Sequence, residues 1–328
     1  MKKFAVIILI LLVSCWVGFS AAPASGEKIR LALVIPSTID DMAWSQAMYE
    51  GVKGVQKDLG EDKMEVAVSE RLWNAVDAGA AIREYALNDY NIIIAHGAQY
   101  QSLLNEIAPE FPKISFAYGT GFATEHPNIF AYDPHAQEGA YLLGMLAGLK
   151  TKSNIIGIVG PVEAGDAIKF NKGIVQGAKA VNPNAEVRIA YTGSFGDFVA
   201  AGEIAKTHIK AGADVLTGSA QQSVGAINVT KEAGNIFWLS TDMDQSSLSP
   251  KTVLAAQAYN FKKVVETMID NRAKGVLGGQ HLELTFANGS LDLVYNEELA
   301  AEITPEMKAQ VEEAKAKITD GSLKIGLE

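Results

Sequence analysis

The residues of this chain that are equipped for chemistry do not fall into the spacings that nucleotide cofactors require. Gly160 and Gly165 have the glycine spacing of a phosphate-binding loop, but Asp166 stands where that loop needs a lysine. Its carboxylate would repel a nucleotide phosphate. Gly157 and Gly160 form only a fragment of a dinucleotide fingerprint, and a tight turn between a strand and a helix explains them better. The sequence therefore predicts no nucleotide cofactor.

Histidine, serine and cysteine also give no pattern of catalysis or metal binding. Cys15, the only cysteine, lies in an apolar leader, so the folded part lacks thiols for catalysis, disulfides or zinc. The serines include no Gly-x-Ser-x-Gly elbow. The histidines show no H-E-x-x-H spacing, and we interpret them as solvated or internally hydrogen-bonded: His96, His126, His135, His208 and His281. We predict no catalytic residue, no metal, no cofactor and no enzymatic activity.

Residues 1–24 are interpreted as a signal peptide and excluded from the fold. Two lysines precede an apolar run of 14 residues, Phe4 to Val17, which is too short to span a bilayer comfortably. Ala22-Pro23-Ala24 has the small-x-small pattern of ordinary cleavage, which we favour, whereas residues 12–15 resemble a lipobox. We therefore predict an exported protein, either periplasmic or held at the membrane by a lipid anchor on Cys15.

The charge of the mature chain disfavours some classes of binding partner. Removing the leader leaves 304 residues (328 minus 24), with 26 basic side chains (28 minus 2) against 38 acidic ones, a net charge of −12. A surface this acidic disfavours nucleic acid and anionic lipid. No second apolar run approaches membrane length. At about 150 residues per domain, the length predicts two domains.

The elements that must position any site follow an α/β pattern. Short apolar runs rich in β-branched residues alternate with longer segments of helical period, which is typical of parallel sheets with crossover helices. One series runs from Ile29 to Ala117, and the pattern restarts from Ile155 to Ser240. A single sheet of ten or more strands is uncommon. We therefore predict an α/β fold of two doubly wound parallel-sheet lobes joined by a hinge.

The predicted lobes exchange chain segments. The first comprises residues 27–132 plus about 256–298, and the second comprises 133–255 plus about 299–328. Val253–Tyr259, with the helix Phe261–Ala273 after it, is interpreted as the return crossing to the first lobe. Asn288-Gly289 is a strong two-residue turn signal and predicts a hairpin.

The loops that follow the strands are expected to form the ligand site, because open α/β sheets bind ligands at the carboxyl ends of their strands. Asp166, Asp242 and Asp244 lie in these loops and either accept hydrogen bonds from a ligand or cap helices and form turns. The neutral candidates for hydrogen bonds to a ligand are Ser45, Gln46, Tyr100 and Gln221. A site with carboxylates and few lysines disfavours phosphorylated ligands.

Seven collinear stretches carry a resemblance to a known family. They are D-M-A-W-S-Q at 41–46 with Y-E-G at 49–51, Q-E-G-A-Y-L-L-G at 137–144, K-F at 169–170 with Gly173 and Gly177, A-V-N-P at 180–183, G-S-F-G-D at 193–197, G-A-D-V at 212–215 and D-M-D-Q at 242–245. Together they resemble the basic membrane protein family, the purine-nucleoside receptors of ABC transporters. The resemblance runs from about residue 29 to about residue 273.

This resemblance implies a fold like that of type I periplasmic binding proteins, with a transporter permease as partner. It also implies that a purine base is sandwiched between one aromatic side chain from each lobe, at Trp44 and Phe195. Each stacking partner contributes about 1–3 kcal/mol in nucleobase systems. Because the two rings belong to different lobes, stacking would couple binding to closure.

Three departures from the family pattern bear on the ligand. Tyr259 replaces an expected lysine, an expected aspartate near residues 35–36 is missing, and a glycine-rich stretch is replaced by residues 219–223. If the lysine of the family donates to ribose hydroxyls, its replacement removes that donor, so a free base or another flat heterocycle is expected to bind at least as well as a nucleoside. Two alternatives stay open: the ligand-binding input of a sensor or chemoreceptor, and an exported purine-processing hydrolase.

Overall fold

A computed structural model describes residues 28–121 and 123–327. The predicted signal peptide, its cleavage site and Cys15 lie outside the described residues. Within the described ranges, no helix combines the length and apolar character that a membrane crossing demands.

The chain folds first into a series of strands and helices that build one lobe. In chain order they are β1 (Ile29–Val34), α1 (Trp44–Leu59), β2 (Met64–Ser69), α2 (Ala75–Leu87), β3 (Ile92–Ala95), α3 (Gln101–Ile107), β4 (Ser115–Gly119) and β5 (Ile129–Pro134). The predicted elements of this region are present, with ends that differ by a few residues.

A second series builds the other lobe. It consists of α4 (Ala136–Lys150), β6 (Ile155–Gly160), α5 (Gly165–Val181), β7 (Glu186–Tyr191), α6 (Phe198–Lys210), β8 (Val215–Gly218), α7 (Ser223–Ala233), β9 (Phe237–Ser240) and β10 (Val253–Tyr259). The remaining elements are α8 (Phe261–Ala273), β11 (Gln280–Leu284), β12 (Leu291–Tyr295) and α9 (Pro305–Thr319).

The strands form two six-stranded sheets. The first has the order β11-β5-β4-β3-β1-β2 and is parallel throughout, and the second has the order β12-β10-β9-β8-β6-β7. In the second sheet only β12 runs antiparallel to its neighbour. Central strands such as β3 are buried at every residue, which explains their continuous apolar sequence. The predicted two-lobed α/β fold is confirmed.

Two predictions about the chain path between the lobes were wrong. β10 pairs with β9 and is part of the second sheet, so Val253–Tyr259 is not itself the return crossing. The chain crosses at Asn260 instead, because α8 packs against α1 of the first lobe. Asn288-Gly289 forms a turn, with Gly289 at φ +69°, but the strands beside it do not pair as a hairpin. β11 joins the first sheet and β12 the second, because each finds an open sheet edge in a different lobe.

The connection between the lobes therefore consists of three chain crossings, at His135, at Asn260 and at residues 285–290. They are hydrogen-bonded to one another: the His135 amide donates to the Leu284 carbonyl at 2.9 Å, and the Asn260 amide donates to the Ser290 carbonyl at 2.9 Å. The predicted lobe limits remain a proposal, and sheet membership moves them: the first lobe continues to Pro134, the second continues to Tyr259, and β12 belongs to the second lobe rather than the first.

Helices α4 and α5 of the second lobe pack with their backbones nearly in contact. A Cβ atom at Gly144 would overlap the carbonyl of Ile174, and one at Gly177 would overlap the carbonyl of Tyr141. At Gly173 the nearest backbone atom, the Gln137 oxygen, would lie 2.6 Å away. The glycines of the family resemblance are therefore required by the close approach of these two helices.

Candidate functional site

A cavity of about 210 Å³ lies between the two lobes, at the carboxyl ends of their strands. On the first lobe it is lined by Pro36, Trp44, Trp73, Gly97, Ala98, Gln99, Gly119 and Thr120. On the second lobe it is lined by Pro161, Ala164, Gly165, Asp166, Ala167, Phe170, Phe195, Ser219, Ala220, Gln221, Asp242 and Tyr259. This position agrees with the rule for ligand sites in open parallel sheets.

Trp44 forms the aromatic part of the first-lobe wall. Its indole stacks on the His96 ring with centroids 4.1 Å apart and planes within 9°, and Phe261 meets the indole edge to face at 5.2 Å. The indole Nε1 donates to the His96 carbonyl at 3.2 Å. One face of Trp44 is thus covered by His96, and the side chain lines the cavity.

His96 supports Trp44 as an uncharged ring. It is fully buried, and this burial lowers the pKa of its imidazole to about 3. Its Nε2 lies 2.9 Å from the Trp44 carbonyl and its Nδ1 lies 2.6 Å from the Tyr132 hydroxyl. Because a carbonyl only accepts, Nε2 carries the proton and Nδ1 accepts from the hydroxyl. The prediction of an internally hydrogen-bonded histidine is met at this position.

The start of α1 is fixed by Asp41, which lies at the end of the loop after β1. The Asp41 carboxylate accepts hydrogen bonds from the amides of Ala43, Ser45 and Gln46, at 2.9, 3.2 and 3.0 Å. The Ser45 and Gln46 amides belong to the first helical turn and have no partner within the helix, and Ala43 is the residue just before it. The cap therefore sets the direction in which Trp44, the first residue of α1, leaves the backbone.

Phe195 lies on the second-lobe wall, in the loop between β7 and α6, and is half-buried. Its ring is 5.6 Å from that of Trp73, tilted by 45°, so the two lobes touch through these side chains. Trp73 follows β2 and is 52% exposed. The sequence reasoning missed Trp73, although its place after a strand of the first lobe was a usable signal.

Asp166 and Asp242 give the second-lobe wall its acidic character. Burial, reinforced by the Asp41 and Asp166 carboxylates, raises the pKa of Asp242 to about 8. Burial also raises the pKa of Asp166 to about 7, against the opposing effect of the Lys169 ammonium. Near neutral pH Asp242 therefore keeps its proton and Asp166 is partly ionised, so the wall is able to donate as well as accept hydrogen bonds.

Tyr259 closes the base of the cavity beside Trp44. It is 7% exposed, and its ring meets the indole edge to face at 6.1 Å. Burial and the nearby carboxylates raise the pKa of its hydroxyl well above the usual value. The side chain at this position is therefore a neutral phenol, where the family resemblance called for a lysine.

The remaining predicted residues divide between the cavity and its surroundings. Gln221 lines the cavity and is largely buried. Ser45 is buried, and Gln46 contacts the Met42 amide and Glu50, so both support the first turn of α1. Tyr100 is a core residue whose hydroxyl donates to the Leu72 carbonyl at 2.8 Å. None of these last three is among the cavity-lining residues.

Asp244 is exposed and turned away from the cavity. Its carboxylate binds the Ser246 amide at 2.9 Å and the Ser246 hydroxyl at 3.0 Å. This is the turn-forming role that the sequence left open. Its neighbour Gln245 connects the lobes instead, because its side-chain amide donates to the Met42 carbonyl at 2.7 Å.

Two parallel α/β lobes, three crossings between them and a cavity walled by both define a two-lobed ligand-binding protein. The chain belongs to the family described as PnrA-like ABC transporter substrate-binding proteins, whose model matches residues 28–324. The resemblance to basic membrane proteins seen in the sequence is thereby confirmed.

Individual relatives match most of the chain at low identity. A CD4+ T-cell-stimulating antigen of Listeria innocua is 26% identical over 92% of this chain and 89% of its own. A purine-binding protein of Brucella abortus is 26% identical over 90% of this chain and 83% of its own. A solved ABC transporter solute-binding protein of Aeropyrum pernix superposes with a TM-score of 0.80 at 20% identity, covering 92% and 94% of the two chains.

Proposed function

We propose that this protein is an extracytoplasmic receptor that binds a purine base between its lobes and delivers it to an ABC transporter permease. The observation that carries the proposal is Trp44, an indole that lines the cavity and is held in place by stacking on His96. A flat heteroaromatic ring is the natural complement of such an indole. The Brucella abortus relative, by its name, binds purines.

The opposite wall supplies the second half of the proposed sandwich. Phe195 lines the cavity from the second lobe, so a ring lying on Trp44 would meet it when the lobes are together. Asp166, Asp242 and Gln221 would then face the edge of the ring, where purines carry both donors and acceptors. The receptor would bind its ligand without changing it chemically. Export directed by the predicted signal peptide would place it outside the cytoplasm.

The cavity favours an unphosphorylated ligand. None of the described residues that line the cavity is basic, and the nearby Lys169 ammonium is already paired with Asp133 and Asp166. An ionised Asp166 would repel a phosphate. The volume of about 210 Å³ is also smaller than the roughly 300–1,000 Å³ of sites for drug-sized ligands. We therefore expect a free base rather than a nucleotide.

Calorimetry with adenine, guanine, hypoxanthine and their nucleosides and monophosphates tests this proposal. We expect binding of at least one free base and none of the monophosphates. Native mass spectrometry of protein purified from cells adds an unbiased check, because a tightly held ligand would be identified by its mass. A flat response to every purine, together with a bound ligand of another class, would contradict the proposed ligand.

Two further measurements separate the proposed receptor from other roles. Small-angle scattering should show a smaller radius of gyration with the base than without it, because the lobes close on it. Equal radii would argue against closure. Product analysis after prolonged incubation with inosine should show no free base, whereas its formation would mean that the protein is a hydrolase.

A further inference from the structure

Lys169 belongs to the second lobe, but its ammonium group binds the end of β5 in the first. Its Nζ donates to Asp133 Oδ1 at 2.5 Å and to the Pro134 carbonyl at 3.3 Å. Both acceptors immediately precede the crossing at His135. The Lys169 side chain is 17% exposed and that of Asp133 is 10% exposed. Water and salt therefore screen this pair weakly.

The same ammonium also lies next to a residue of the cavity wall. It lies 3.2 Å from Oδ1 of Asp166, a cavity-lining residue one turn earlier on α5. The approach lacks hydrogen-bond geometry, and neither Asp166 oxygen has another donor within the residues that the structure describes. Asp133 therefore receives the shorter, directed hydrogen bond, and the hydrogen-bonding capacity of Asp166 is less fully used.

The Lys169 ammonium thus contacts two carboxyl groups on different lobes, and its contact with Asp133 is shorter and better directed than its contact with Asp166. A donor on a bound ligand would complete the hydrogen bonding of Asp166, which a buried carboxylate strongly favours. The lysine cannot follow Asp166 toward a ligand without loosening its bond to Asp133. A movement of Asp166 at the cavity wall would therefore change the hydrogen bond between Lys169 and Asp133, next to the crossing at His135.

Building on the proposed function, we propose that Lys169 is a positioning residue of the ligand site, which orients the Asp166 carboxyl group and links it to Asp133 at the lobe crossing. Lys169 itself does not line the cavity. Its role in ligand binding is to act through Asp166. A purely structural lysine would affect folding but would leave the titration of Asp166 and its coupling to the ligand unchanged.

Carbon-13 NMR titration of the aspartate carboxyl groups tests the first link without any ligand. In Lys169→Met we expect the pKa of Asp166 to rise by about one unit or more, because an opposite charge close by is lost. Lys179→Met is the matched control: it removes an exposed lysine from the other end of α5, whose Nζ binds only the Pro183 carbonyl. Identical Asp166 titration in the wild type and both variants would overturn the proposal.

Asp133→Asn provides a second variant with the opposite sign. Removing the competing carboxylate leaves the ammonium to Asp166, so the pKa of Asp166 should fall below the wild-type value. This variant keeps the side-chain volume and remains informative if Lys169→Met does not fold. An unchanged or raised Asp166 pKa in Asp133→Asn would contradict the proposed link.

Calorimetry with adenine tests the second link. We expect Lys169→Met to weaken binding about tenfold or more, Lys169→Arg to recover most of it, and Lys169→Met to cost little in an Asp166→Asn background. Affinity within twofold of the wild type, or an equal cost in both backgrounds, would overturn the role of Lys169. If the wild type binds no purine, the proposed function fails, while the titration still decides the link between Lys169 and Asp166.

Discussion

The two walls of the cavity are built on different principles. The first-lobe wall is a stack of aromatic rings, Trp44 on His96 with Phe261 at their edges, whose polar atoms are paired within the protein. The second-lobe wall carries Asp166 without hydrogen-bond donors and Asp242 with a strongly raised pKa. The polar atoms of the first wall are paired within the protein, whereas those of the second wall would gain hydrogen bonds from a ligand.

This difference suggests that the two walls recognise different properties of the ligand. A preorganised stack loses little entropy on binding and selects for a flat shape. A wall of incompletely paired carboxyl groups selects for the pattern of donors and acceptors on the ligand edge. The following predictions test whether recognition of the ligand's flat shape can be separated from recognition of its hydrogen-bond donors and acceptors.

The largest effect is expected from Trp44→Ala, which removes the first-lobe stack. Because Trp44 packs on His96, Tyr259 and Phe261, we expect the free energy of unfolding to fall by about 3–5 kcal/mol, beyond the loss of affinity. Trp73→Ala is the matched control, since that side chain is half exposed and should change unfolding by less than about 1 kcal/mol. Denaturant unfolding without ligand measures both, and equal small losses would mean that Trp44 is not part of a preformed wall.

Phe195→Ala should separate binding from stability on the second lobe. We expect adenine binding to weaken by about 1–3 kcal/mol through lost stacking. Unfolding should change by less than about 1 kcal/mol, because the ring is half-buried and contacts Trp73 at the cavity mouth. Calorimetry and denaturant unfolding give the two values. A large loss of stability with unchanged affinity would place Phe195 in the core of its lobe.

Asp242→Asn should stabilise the ligand-free protein while weakening binding. Burial raises the pKa of this carboxyl to about 8 in the folded protein against 3.8 for the ordinary group. Between those values the unfolded chain loses the proton that the folded chain keeps, so stability falls as pH rises. Removing the titration should therefore make the variant more stable than the wild type by several kcal/mol at pH 8, with a smaller gain of about 1–2 kcal/mol at pH 5.

Thermal or denaturant unfolding at both pH values measures this difference. Asp244→Asn is the control, because its carboxylate is exposed and binds only within its own turn. If the free energy of unfolding depends on pH in the same way in the wild type and in Asp242→Asn, then Asp242 does not destabilise the ligand-free protein.

The smallest effect concerns the sugar. Tyr259 offers a neutral hydroxyl where a lysine would give a charge-assisted hydrogen bond, so ribose should gain little. We expect adenine and hypoxanthine to bind at least as tightly as adenosine and inosine in paired calorimetric titrations. Nucleosides that bind tenfold more tightly in both pairs would mean that the second wall recognises the sugar.

The fold was predictable because its signals are local. Buried parallel strands read as apolar runs, and the helices between them have their own period, so the two-lobed architecture followed from the pattern. The crossings were not predictable in the same way. Nothing local in Val253–Tyr259 or at Asn288-Gly289 states which sheet edge a strand will join, since that depends on pairing partners distant in the chain.

The site was predictable in its loops more than in its individual side chains. Trp44, Phe195, Asp166, Asp242 and Gln221 line the cavity, as expected from their position after strands. Tyr100 and Asp244 lie in equally well-placed loops, but one points into the core and the other makes a local turn. The direction of a side chain within a loop depends on its tertiary contacts. The backing of Trp44 by His96, 52 residues away, has no local signal either.

The close packing of α4 and α5 gives a remote position leverage over ligand recognition. Helix α5 carries Asp166 at its first turn and Gly177 eleven residues further on, a separation of about 16 Å at the rise of an α-helix. A methyl group at Gly177 would overlap the Tyr141 carbonyl, so α5 would have to move away from α4 to accept it. Because Asp166 lies on the same rigid helix, we expect such a shift to alter the width of the ligand cavity, although Gly177 is not among the residues that line it.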